Sequence, residues 1–127
     1  MPSPVQKLSK VVEVDIDQTD GATDDAITSA INLAGHILVG VIMPATWTAA
    51  GITFEVSDTE AGTYVDLYDT SGAELALSAA ASIYLAVDPV NFYGVNFLKV
   101  RSGTSATPVD QTTPRTLKLL LGVPDRS

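Results

Sequence analysis

Six acidic residues crowd one early stretch of this 127-residue chain: Glu13, Asp15, Asp17, Asp20, Asp24 and Asp25. With Gly21 among them they invite a calcium reading, because a hard divalent cation takes carboxylate oxygens at alternating positions. The EF-hand template wants glycine at its sixth position and glutamate at its twelfth. Counted from Asp15, those places hold Asp20 and Ala26, so the match fails and the stretch reads as a solvated acidic turn. His36 is the one imidazole, and cysteine is absent. Thiolate metal centres are therefore excluded, and nucleophilic catalysis would have to be built around that single ring. No nucleophile-elbow motif accompanies it, and Gly35 and Gly40 are spaced too widely for a phosphate-binding fingerprint. The expectation is a non-enzyme with no cofactor and no metal, whose work is done by contact.

The residues suited to contact are few. Trp47, between Thr46 and Thr48, either anchors an interface or plugs one end of a core. Tyr64, Tyr68, Phe92 and Tyr93 suit sugar stacking or, more commonly, cross-strand pairing. Lys99, Arg101, Arg115 and Lys118 gather much of the positive charge; they either meet acids of a neighbouring subunit or form the wet side of two strands. Fifteen acids against seven bases give a net charge of −8, a field that repels phosphate and excludes free nucleic acid as a partner. No apolar run approaches the roughly 20 residues that span a bilayer, so no membrane partner is expected. The longest, residues 37–43, ends at Pro44.

The elements that must position these residues repeat with period two. Residues 52–57 (ITFEVS), 83–88 (IYLAVD) and 98–101 (LKVR) set apolar and polar side chains on opposite faces, the mark of half-buried strands. Val12, Val14 and Ile16 alternate with Glu13 and Asp15 as a first strand. Residues 26–33 fit a strand or a helical stripe, the β-branched content favouring the strand. Residues 37–43 read as a central strand covered on both faces, with further strands at 64–68, 73–77, 82–87, 95–101 and 115–121. Turn signals every eight to twelve residues, and no long helical pattern, predict a single all-β sandwich, jelly-roll-like, of about eight to nine short strands. Residues 1–9, with Pro2 and Pro4, read as an extended arm, 10–123 as the sandwich and 124–127 as a tail.

From Ile37 to Gly122 the chain resembles a family of small structural proteins of tailed bacteriophages and prophages. The resemblance is carried by residues 43–50 (MPATWTAA), 53–57 (TFEVS), 66–69 (DLYD), 97–104 (FLKVRSGT), Pro108-Val109 and 115–117 (RTL). It implies a virion component made in the host cytoplasm: a capsid decoration or cement protein on the head exterior, or a head-fibre base. Its implied partners are the major capsid protein and further copies of itself, with a trimer favoured. It supplies no catalytic residues. The contact residues expected on this reading are Val5 and Leu8 in the arm, with Trp47, Phe92 and Tyr93. The alternative is a carbohydrate-binding or adaptor module of a tail or fibre, using Trp47 and the aromatic loop 88–94.

Overall fold

Alternation decides which side chains meet inside. The computed structural model describes residues 7–16 and 26–123. Within them lie eight strands: β1 (Lys7–Ile16), β2 (Ile31–Asn32), β3 (Ile37–Ile42), β4 (Ile52–Ser57), β5 (Val65–Asp66), β6 (Tyr84–Ala86), β7 (Phe97–Ser102) and β8 (Arg115–Val123). A short 3-10 helix, Pro89–Phe92, precedes β7; the Asp88 side chain caps it by accepting from the Val90 N–H. The all-β sandwich expected from the turn spacing is what forms.

The strands make two four-stranded antiparallel sheets, here sheet A in the order β1-β8-β3-β6 and sheet B in the order β2-β7-β4-β5. The rungs β1·β8, β2·β7, β3·β6 and β4·β5 are those of one long hairpin. Coiling that hairpin lays β3 beside β8 and β4 beside β7. This is the double Greek key of a jelly roll. Its interior is lined by inward rows such as Val12, Leu119, Val41 and Leu85 on sheet A, and Phe54 and Val100 on sheet B.

Several expectations change on contact with the fold. The first strand starts at Lys7, so Lys7 and Leu8 lie in the sheet, opposite Val123 and Gly122, rather than in an arm. Residues 26–33 are extended: Ile27 bridges Arg101, and the Thr28 N–H donates to Val100 O at 2.9 Å. Residues 73–77 are held by isolated bridges, Glu74 to Tyr68 and Leu77 to Ile52, rather than by a continuous strand. β3 is central but not fully covered on both faces, because Ile42 points outward and is exposed. A register shift at Leu38/Gly40 sets this phase. Val5, the acids 17–25 and the tail 124–127 lie outside the described residues.

Candidate functional site

The outward residues of sheet B come together around one guanidinium. Arg101 on β7 stands opposite Thr53 on β4, while Glu55 on β4 stands opposite Lys99 on β7 and Asp66 on β5. Arg101 is 5% exposed. Its Nη1 donates to Glu55 Oε2 at 2.8 Å, and its Nη2 to Asp66 Oδ1 and Glu74 Oε2, both at 2.9 Å. Its Nε donates to Thr53 Oγ1, whose own hydroxyl donates to the Gly103 carbonyl at 2.7 Å. The Ser105 N–H adds a bond to Glu74. Guanidinium hydrogens need acceptors once the group leaves water; three carboxylates and the Thr53 hydroxyl supply four here. The sequence offered Arg101 acids of a neighbouring subunit or a wet strand face; it is instead buried against acids of its own chain.

Arg115 is buried too, by a different route. It donates to Gln111 Oε1 at 3.0 Å and to the hydroxyls of Thr46 and Thr113 at 2.8 Å. Among the described residues no carboxylate forms an ion pair with it. Gln111, fully buried, also accepts from the Thr48 N–H and donates to Thr48 O and Ser102 Oγ. This network pins the loop that carries Trp47. The indole is half-buried against the core and its N–H donates to Ala50 O at 3.0 Å. This placement is that of a plug at one end of the core.

Phe92, expected as a contact residue, is an interior one. It is fully buried and packs edge-on against Phe54, centroids 5.2 Å apart at 86°. Its neighbour Tyr93 is exposed, so the aromatic loop keeps one contact residue of its two. Leu8 belongs to β1 through its backbone pairing. His36 fills a turn, with Nδ1 3.0 Å from Leu33 O. No group of three metal-binding side chains occurs among the described residues.

A cleft of about 920 Å³ opens between β1 and residues 27–30, lined by Glu13, Asp15, Glu55, Glu60 and Lys99 among others. Lys99 is not free within it, since its ammonium lies 4.4 Å from the Tyr64 ring centroid. Desolvation, then the Glu60 charge, raises the Tyr64 phenol above its ordinary value. The undescribed segment 17–25 joins the cleft's two walls in sequence.

Sheet A presents a different exterior. Its outward residues form two cross-strand rows: Val11, Leu120, Gly40 and Ala86, then Glu13, Lys118, Ile42 and Tyr84. Val11 is 50% exposed, Tyr84 52% and Ile42 39%. The Tyr84 ring lies across Gly40, in the space a Cβ would need, so glycine here lets an aromatic ring lie flat on the sheet. Ile83, next to Tyr84 in the chain, is exposed as well. The sequence signal for this face was present in the long apolar run of β3, which supplies more apolar residues than one buried side can use.

No protein-family profile, curated protein sequence or solved structure matches this chain.

Proposed function

We propose that this protein is a structural virion protein of a tailed phage, a decoration or cement protein that binds the outer surface of the major capsid shell through the exterior of sheet A. The observation that carries the reading is the contrast between two exteriors: sheet B satisfies its own charges, while sheet A leaves Val11, Ile42 and Tyr84 facing water, with half-buried Leu120 between strands. An exposed apolar patch across several strands is the kind of surface that marks a protein-binding site. Jelly rolls serve in viral capsids and lectins alike, so the architecture is compatible with a virion role without specifying it.

The residues that carry the phage resemblance fall on scaffold positions: Trp47 in its loop, Phe54 in the core, Arg101 and Arg115 in their networks. They support a shared way of building the sandwich. Attachment rests on the apolar exterior, with Glu13 and Lys118 in its second row setting orientation through charge. Each copy seated across a seam between capsid subunits adds contacts that internal DNA pressure must break, and a homotrimer places such contacts on three sides. Burying apolar area at about 25 cal/mol per Å² over roughly 800 Å² per partner is the scale required for stable attachment.

Cryo-electron microscopy of intact particles tests the assignment. Density of this jelly roll on the head exterior, sheet A towards the shell, is the expected result. A bare head, or the same density confined to the tail, contradicts it.

A further inference from the structure

The flank of the sandwich between β5 and the 3-10 helix holds a groove of about 390 Å³, away from the exterior of sheet A. Its floor is Val56, Leu67 and Val95, all packed against the core. Val65, 59% exposed, and Tyr93, 57% exposed, line it with them. Asp58, Thr63 and Asn91 supply the polar lining, and no side-chain hydrogen bond among the described residues occupies any of the three. A single exposed aromatic ring, an aliphatic floor and three unengaged polar side chains form the set that recognises a small amphipathic ligand.

We infer that this groove is a binding site for a neutral sugar, a hexopyranose unit whose apolar C–H face lies on the Tyr93 ring. Its hydroxyls are then within the province of the Asp58 carboxylate, the Asn91 amide and the Thr63 hydroxyl, which between them accept and donate. Two observations select the class. The ligand must be apolar on one face and polar on the other, which excludes a purely aliphatic chain. No Lys, Arg or His lines the groove while Asp58 does, and the chain carries a net charge of −8, so acidic saccharides are disfavoured. The site differs from the one drawn from sequence, which joined Trp47 to the loop 88–94; the Trp47 N–H is engaged elsewhere. It does not depend on the capsid assignment.

Titration of the full-length, ¹⁵N-labelled protein with the methyl glycosides of glucose, galactose, mannose and N-acetylglucosamine tests this directly. At least one glycoside should shift the amides of residues 57–67 and 91–95, with a dissociation constant on the order of 1 mM, the range for so small a ligand on an open groove. Tyr93→Ala and Asp58→Asn should each weaken that binding about tenfold, a loss of about 1.4 kcal/mol, while Tyr68→Ala, at an exposed ring elsewhere, leaves it unchanged. Circular dichroism checks that each variant keeps its fold. The inference is overturned if no glycoside shifts these amides at about 50 mM, a level that would saturate a millimolar site. Unchanged binding in Tyr93→Ala, or stronger binding of N-acetylneuraminic acid than of every neutral glycoside, overturns it equally.

Discussion

The two sheets turn opposite kinds of surface outward, although both are built by the same alternation. On sheet B the outward position of β7 holds Arg101, and acids from β4, β5 and the segment after β5 converge on it. On sheet A the outward positions of β3, β6 and β1 hold Ile42, Tyr84 and Val11, with no apolar layer over them among the described residues. A polar exterior here means a closed network that stabilises the fold. The apolar exterior is the one with binding energy still to release.

Breaking the network on sheet B should give the largest effect. Arg101→Met leaves Glu55, Asp66 and Glu74 facing one another around a buried vacancy, and is expected to cost about 3–5 kcal/mol in urea unfolding. Adding Glu55→Gln, Asp66→Asn and Glu74→Gln to that variant should recover much of the loss, because the uncompensated charge is then gone. A fourfold variant no more stable than Arg101→Met would show that packing, rather than charge, holds this face.

The loop that receives Thr53 should be nearly as sensitive. Gly103 has φ +91°, and a Cβ there would collide with the backbone of Thr107 and Val109. Gly103→Ala is expected to lower stability by about 2 kcal/mol, read as a fall in melting temperature. On sheet A, Tyr84→Ala should behave in the reverse manner. Its folding stability should stay within about 0.5 kcal/mol of the parent, and its affinity for the shell should fall about tenfold.

The smallest effect is a matter of pH. The Ser71 hydroxyl first, then the Ala73 N–H, hold the Asp69 carboxyl below its ordinary value. A depressed folded-state value contributes stability above the unfolded value, near pH 4, and loses it as pH falls through the folded one. Asp69→Asn should therefore melt slightly below the parent at neutral pH and converge with it as pH falls through the acid limb. A variant that melts in parallel with the parent through that limb would contradict the turn's role.

The sandwich was legible because period two survives in short segments: 52–57 and 98–101 read correctly from their own residues. What local pattern could not show was which strands pair. Alternation puts Arg101 outward, but only the pairing of β7 with β4, and of β4 with β5, brings three carboxylates over it. Arg115 was misread for the same reason, since the threonines that cover it, Thr46 and Thr113, come from two separate loops. Phe92 looked like a loop aromatic. The Asp88-Pro89 start of a one-turn helix, the available clue, rotates Phe92 under the sheet and leaves Tyr93 outside. The apolar exterior of sheet A was hidden because a continuous run such as 37–43 does not reveal which of its faces is covered.

Co-sedimentation of the purified protein with undecorated capsid shells, using Ile42→Glu beside the parent, tests the docking face most directly. The account predicts that the parent pellets with the shells, while Ile42→Glu stays in the supernatant and melts at an unchanged temperature. An Ile42→Glu protein that coats shells as the parent does would contradict it, as would a parent that never binds them.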